Sequence, residues 1–587
     1  MKEFVKMVLA VICGILILSI VSFFLTFAMI GAVAAAGSGK PVLPKSGVLS
    51  LDLSKVMIAE QTQDGGSLSN FNPNSLLAGG EAPASVIGIW DAVQAINAAA
   101  EDPAVQYIFL RTDGNTTGVT ALGELRVALE RFRTSGKPVV SYLESPGTAS
   151  LYIASVSDKI YMNSSLGLTP QFTGVGSQMV FLGDLLKRLG VNVQLIRHGK
   201  YKSAGEMYTR GSSSPENREQ YQRMIDSMWE VIGAAIAESR GISLEELDAA
   251  IEGLKFRLPQ DFVDCKLVDE LLDRKGLEDK LATLAVADKY KDIKWIAFDD
   301  YVDAKLVASK AKQKIAVIYA DGEIIDGKGK TEIAGDRFAA VIEKVAADST
   351  VKAVVLRVNS PGGSVTASEK IKNELDRLQQ VKPLVASYGD YAASGGYWIS
   401  NRCDKIFSDA TTLTGSIGVF GIVPDLSKVA KDVAHVGIES VSSHKHGDMY
   451  GLFRPFDNDE YNYMLTSIEA VYDRFTTIVS EGRDIPKETV DEIGQGRVWT
   501  GADALKIGLV DEIGTLEDAI RYAAVSAGEP DLAKWNVKGY PTPPGAMDQV
   551  LDMLGQGSGR DGALVGAIRR LTRPQVLVRM DMDIAVR

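Results

Sequence analysis

VKAVVLRVNSPGGS (Val351–Ser364) and AVQYIFLRTDGNTTG (Ala104–Gly118) are two versions of one segment. Each begins with a β-branched apolar run, which reads as a buried strand, and ends in a turn rich in small residues. The agreement continues outward in the same order. Amphipathic helical stretches follow, SEKIKNELDRLQQ (Ser368–Gln380) and ALGELRVALERF (Ala121–Phe132). Then KPLVASYGD (Lys382–Asp390) matches KPVVSYLE (Lys137–Glu144), CDKIFSD (Cys403–Asp409) matches SDKIYMN (Ser157–Asn163), and LTGSIGVF (Leu413–Phe420) matches FTGVGS (Phe172–Ser177). Arg111 and Arg357 stand 246 positions apart, as do Asp158 and Asp404. A shared order over so long a stretch identifies an internal duplication. Short strands alternating with helices place both copies in the α/β class, with largely parallel sheets.

The copies are expected over residues 45–300 and 312–525, with a helix over Gly276–Lys291 linking or packing across them. Beyond residue 525 the pattern fades into a tail, 526–587, with Pro541, Pro543, Pro544 and a basic end. A solvated tail is the plain reading of that segment, and a membrane-surface or oligomer contact is the alternative.

The chain has 587 residues, 46% of them hydrophobic and 24% charged, which excludes wholesale disorder. A net charge of −12 argues against a nucleic-acid partner. Three cysteines, Cys13, Cys265 and Cys403, rule out a disulfide scaffold or a thiolate-rich zinc site. Four histidines leave little for histidine-rich metal chemistry, so neither metal nor cofactor is expected.

From Met7 to Gly39 there are 33 residues without a charge, more than the ~20 needed to span a bilayer. Lys2 and Lys6 precede this run, which favours a cytoplasmic N-terminus. Residues 1–40 are therefore expected to form a single anchor that meets the lipid through residues 7–37, with the rest of the chain outside the cytoplasm. The small residues Ala34–Gly37 leave open a cleaved signal, although its apolar core would be unusually long.

GDYAASGGYWIS (Gly389–Ser400) puts Ser394 after an expected strand, at the start of a helix. A serine there can be a nucleophile, or simply an N-cap. In NSPGGSV (Asn359–Val365) two glycines leave backbone N–H groups open toward an oxyanion, or form only a tight turn. The serine needs a base. No histidine lies in the 40 residues after Ser394, while His435, His444 and His446 come later. A lysine made neutral by burial or by neighbouring cations can take the role. RHGKYKSAGEMYT (Arg197–Thr209) offers Lys200 and Lys202, which share one face if the segment is extended. Thr148 of the first copy stands opposite Ser394. Counting from Gly190 and Gly437, taken to precede matching strands, Lys202 stands opposite Met449, with Lys445 nearby. One copy kept the nucleophile and the other kept a base, which suggests a pair assembled across the two.

GKYKSAGE, NSPGGSV, GDYAASGGYW and LTGSIGVF together resemble the motifs of signal peptide peptidase A in its long, two-repeat, membrane-anchored form. That family belongs to the Clp protease/crotonase fold superfamily. The resemblance spans roughly residues 45 to 525 and implies tandem Clp/crotonase-like domains. It implies Ser394 as nucleophile, Lys202 as base, Ser416 as the group orienting the lysine, and the N–H groups of Gly363 and Gly395 as oxyanion donors. It further implies a bacterial inner-membrane peptidase facing the periplasm, assembled as a homo-oligomer (a tetramer), that degrades leftover signal peptides. The alternative is an anchored scaffold that holds apolar peptides without cutting them; an acyl-CoA enzyme of the same fold fits the anchor and the serine–lysine pair less well.

Overall fold

The computed structural model describes residues 14, 17, 41–63, 85–167, 170–329, 332–543, 575–580 and 586. The expected anchor, residues 1–40, thus lies outside the described residues except at two positions. Among the described residues no helix is long and apolar enough to cross a membrane.

Each copy is built on its own sheet. In the first, six parallel strands run in the order Glu270–Leu272, Lys159–Asn163, Val139–Leu143, Val105–Arg111, Gly47–Asp52 and Trp295–Ala297. In the second, Leu413–Gly415, Leu384–Ala393, Val351–Ser360, Lys314–Asp321 and Asn536–Tyr540 are parallel neighbours, and Val498–Thr500 is added antiparallel at one edge. Val105, Ile108 and Leu110 in one copy and Val354, Val355 and Leu356 in the other are buried. Sheets covered on both faces take such continuous apolar runs.

The second copy does not end at residue 525. Asn536–Tyr540 pairs with Lys314–Asp321 as Trp295–Ala297 pairs with Gly47–Asp52. The repeat therefore closes with the same parallel strand, and Lys294-Trp295 answers Lys534-Trp535 in sequence. The tail expected to be solvated supplies this strand, and its last described stretch, Gln575–Arg579, enters another sheet. The expected linker helix is Arg274–Leu284, shorter than read from sequence, and it is followed by a 3-10 turn at Tyr290–Asp292.

That other sheet joins the copies. Its order is Ile333–Ala334, Ile324–Ile325, Gly362–Ser364, Gln575–Arg579, Val419–Asp425 and Asn192–His198. Val419–Asp425, from the second copy, pairs antiparallel with Asn192–His198, from the first, over seven residues from Val419·His198 to Asp425·Asn192. The strand expected after Gly437 does not form. Its partner would be the first copy's counterpart of Val419–Asp425, and residues 172–182 carry no strand.

Buried charge also crosses between the copies. The Arg357 guanidinium, 1% exposed, lies 2.7 Å from Glu60 and 2.8 Å from Glu124, both carboxylates of the first copy. The Asp390 carboxylate accepts from the N–H and hydroxyl of Thr120, each at 3.0 Å, capping the helix Val119–Arg133. Gly118 makes room for this cap, since a Cβ there would lie 1.8 Å from Asp390 Oδ2.

Candidate active site

The strand Leu384–Ala393 hands the chain to the helix Gly395–Ser400, and Ser394 sits at the corner. Its backbone has φ 55° and ψ −110°, a conformation that few residues with a side chain adopt. Two hydrogen bonds hold it there, from its N–H to Gly415 O and from Trp398 N–H to its carbonyl, each at 2.8 Å. Strain of this kind persists only where the surroundings over-determine it. The corner is sharp enough that a Cβ on Gly396 would come within 2.7 Å of Ser360 O.

Lys202 arrives from the other copy. The strand Asn192–His198 ends four residues earlier, and the chain then turns instead of continuing extended. Lys200 and Lys202 consequently do not share a face. Lys200 is exposed, with its ammonium over the Tyr201 ring, whereas Lys202 is 1% exposed. Lys202 Nζ lies 2.9 Å from Ser394 Oγ, 3.0 Å from Ser416 Oγ and 3.2 Å from Ser416 O. Ser416 is itself fixed at φ 49° by its N–H bond to Arg497 O, 2.7 Å. Lys445 is on the surface, paired with Asp459 at 2.9 Å, and takes no part.

Several residues invisible to sequence reasoning set the lysine in place. Gly496 packs against it so closely that a Cβ there would lie 2.5 Å from the Lys202 amide nitrogen and Cβ. Arg197 donates to Lys202 O at 2.8 Å and to the buried Glu206 carboxylate at 3.0 Å. Gln220, on the helix Pro215–Arg240, donates to Tyr201 O at 3.0 Å and Ser203 Oγ at 2.9 Å, bracketing Lys202. The helix starts cleanly because Ser214 caps it and Pro215 occupies its first position.

The glycine pair also converges on the serine. A Cβ on Gly395 would lie 3.1 Å from the Gly363 amide nitrogen, and one on Gly362 would lie 2.5 Å from the Gly395 amide nitrogen. Two backbone donors therefore stand together beside Ser394, the arrangement that stabilises an oxyanion. In the first copy the corresponding Thr148 hydroxyl is engaged by Gly174 O at 2.7 Å.

A cleft of about 660 Å³ opens alongside, walled by Met179, Phe181, Met207, Tyr221 and Tyr391 and bordered by Asp321. Burial, with the nearby Glu60 charge, pushes the Asp321 carboxyl up to about 6 against the bond from Asn359. Elsewhere, His446, Asp457 and Glu460 bring three ligand atoms together. Glu460 is already paired there with Arg454 at 2.7 Å.

The model of peptidase family S49 matches residues 131–288 and again residues 376–528, one match in each copy. Protease 4 of Haemophilus influenzae is 34% identical over 540 residues, covering 89% of this chain and 86% of that protein. Protease 4 of Salmonella typhi is 33% identical over 574 residues, covering 92% and 87%. The chloroplastic serine protease SPPA of Arabidopsis thaliana is 30% identical over 502 residues, covering 82% and 72%.

Proposed function

Because the chain belongs to peptidase family S49 and is a serine peptidase of the SppA type, we propose that Ser394 is its nucleophile, Lys202 its general base, and apolar peptides, remnant signal peptides among them, its substrates. The observation that carries this reading is the 2.9 Å separation of Lys202 Nζ and Ser394 Oγ, both buried.

A lysine acts as a base only as the neutral amine, and burial disfavours the ammonium. Lys202 takes the hydroxyl proton as Ser394 Oγ adds to the scissile carbonyl carbon. The Gly363 and Gly395 N–H groups receive the developing oxyanion. The ammonium returns its proton to the leaving nitrogen, and water then releases the acyl group by the same route. Ser416 holds the amine in line. Substrates bind extended alongside Gly362–Ser364, in the lane that Gln575–Arg579 occupies in this structure, and the methionine and aromatic walls of the cleft favour apolar side chains.

Residues 7–37 anchor the chain in a bacterial inner membrane, with both repeats on the periplasmic side; the uncharged run after Lys2 and Lys6 supports this placement. The enzyme works as a homo-oligomer, a tetramer in the two-repeat form. Arg111, the repeat counterpart of Arg357, remains 37% exposed, and among the described residues its pairings with Asp52 and Glu144 are long, 4.0 and 3.7 Å. A second copy can cover it as the first repeat covers Arg357.

The test compares wild type, Ser394→Ala and Lys202→Ala on a fluorogenic apolar peptide in detergent. Loss of turnover in both variants with unchanged melting is expected. Turnover retained in Lys202→Ala sinks the assignment of the base.

A further inference from the structure

The turn Gly494–Arg497, between the helix Lys487–Ile493 and the strand Val498–Thr500, presses the second copy against the base. Two consecutive residues in it have positive φ, Gln495 at 50° and Gly496 at 82°. Glycine adopts that backbone freely, but Gln495 carries a side chain and has to be held there. Each amide of the turn is braced. Gly494 N–H donates to Asp491 O at 3.2 Å, Gly496 N–H to Ile417 O at 2.7 Å and Arg497 N–H to Gly494 O at 2.9 Å. The Gln495 N–H goes to a side chain instead, the hydroxyl of Tyr472, at 3.1 Å.

Carbonyls of the turn reach both segments that flank the amine. Gln495 O accepts the N–H of Tyr201, one residue before Lys202, at 3.0 Å, and Arg497 O accepts the N–H of Ser416 at 2.7 Å. Gly496 itself lies between Gly418 and Lys202. A Cβ on Gly418 would come within 2.6 Å of Gly496 Cα and 3.1 Å of Lys202 Cδ. A shift of the turn therefore moves the amine.

Tyr472 stands behind this turn, buried, on the helix Asn458–Arg483. Its hydroxyl donates to Asp491 Oδ1 at 2.6 Å while accepting from Gln495. Burial, with the Asp491 carboxylate beside it, pushes the phenol well above its usual value, so the proton needed for that donation stays in place. The ring stacks on His198, with centroids 3.9 Å apart and planes 24° from parallel. His198 ends the strand that leads to Lys202. Gly199 follows, so close to the turn that a Cβ there would lie 2.4 Å from the Gln495 carbonyl carbon. One side chain thus sets the approach to the lysine through its ring and the turn against the lysine through its hydroxyl.

We propose that Tyr472 is a positioning residue for peptide hydrolysis, holding the Gln495–Gly496 turn so that Lys202 Nζ stays within reach of Ser394 Oγ. The inference rests on the assignment of Lys202 and Ser394 and deepens it by naming the residue that aligns the base. Without the hydroxyl the Gln495 N–H is left unpaired, the strained turn relaxes, and Gly496 backs away from the lysine.

The experiment uses the full chain in detergent, with turnover of a fluorogenic apolar peptide measured well below the melting temperature of every variant. Tyr472→Phe keeps the ring on His198 and removes the hydroxyl. It is expected to lower kcat about tenfold with KM unchanged. The same substitution in Lys202→Ala is expected to change the residual rate by less than about twofold, because no amine is left to place. Tyr472→Phe with wild-type kcat overturns the inference. So does an equal fold-loss in the Lys202→Ala background, the mark of a residue that supports the fold without acting through the lysine. Either result leaves the Ser394–Lys202 assignment standing when Lys202→Ala alone is nearly inactive. Turnover retained in Lys202→Ala overturns both.

Discussion

Lys202 Nζ lies 2.9 Å from Ser394 Oγ although 192 positions of chain separate the two residues. The contact exists because Asn192–His198 of the first repeat is zipped to Val419–Asp425 of the second, which delivers the lysine to the serine's corner.

Replacing either member should remove activity without unfolding the protein. Ser394→Ala and Lys202→Ala are each expected to lower kcat/KM by about 10³-fold or more. Lys202→Arg is expected to rescue nothing, because a guanidinium does not give up its proton at accessible pH. Peptide hydrolysis together with thermal melting checks all three.

Ser416 touches the lysine, its Oγ 3.0 Å from Lys202 Nζ. Its loss should cost the orienting hydrogen bond, worth about 1–3 kcal/mol, or roughly fivefold to 150-fold in kcat. Ser416→Ala should leave KM nearly unchanged and displace the rising limb of the kcat–pH profile. Ser416→Thr, which restores a hydroxyl, should recover part of the rate.

Gly496 gives a sharper test of the geometry. At φ 82°, with a Cβ placed 2.5 Å from the lysine backbone, Gly496→Ala has to push Lys202 away from Ser394. Misplacing a reacting group by an ångström costs about 10²-fold. A drop of that order in kcat, with Ser394 still present but reacting sluggishly with a serine-directed acylating probe, is the expected result.

The buried triad of Arg357, Glu60 and Glu124 predicts a pH-dependent stability defect. Burial pushes the Glu124 carboxyl up to about 7 even against the charge of Arg357. A carboxyl whose folded value exceeds its unfolded value stabilises the fold at low pH, and that contribution is lost as pH rises from the unfolded value through 7. Arg357→Met removes the opposing charge and extends the loss to higher pH. Urea melts should show destabilisation of about 3–5 kcal/mol at pH 8, shrinking toward pH 5.

Asp321 borders the cleft with its carboxyl held up at about 6. It is neutral below that value and anionic above it. KM for a peptide carrying an arginine that reaches Asp321 from the cleft should fall as pH rises from about 5 to 7. Asp321→Asn should flatten the dependence, whereas a peptide with alanine at that position should show little of it in either protein.

The duplication is legible because both repeats keep the same strands and turns around Arg111 and Arg357. Ser394 and the glycine pair are legible for a related reason: a serine or glycine at a strand-to-helix corner has few uses. The choice between Lys200 and Lys202 is not legible, since it depends on a turn where an extended segment is the simpler reading. Gly496 leaves no local mark, because its work is defined by a segment of the other repeat pressing against it. The end of the second repeat is hidden for want of length. Asn536–Tyr540 is a short edge strand, and only Lys534-Trp535, echoing Lys294-Trp295, points to it. Gln575–Arg579 is five residues whose partners lie more than 150 positions away.

The seam between Asn192–His198 and Val419–Asp425 also orders events during synthesis. The half that carries the amine leaves the ribosome first and waits. The alcohol appears about a third of the way into the second half, and Gly496, which wedges the amine into line, exists only when most of that half has been translated. A nascent chain is therefore inert toward itself and its neighbours, and proteolytic competence comes late, with the joining of the halves.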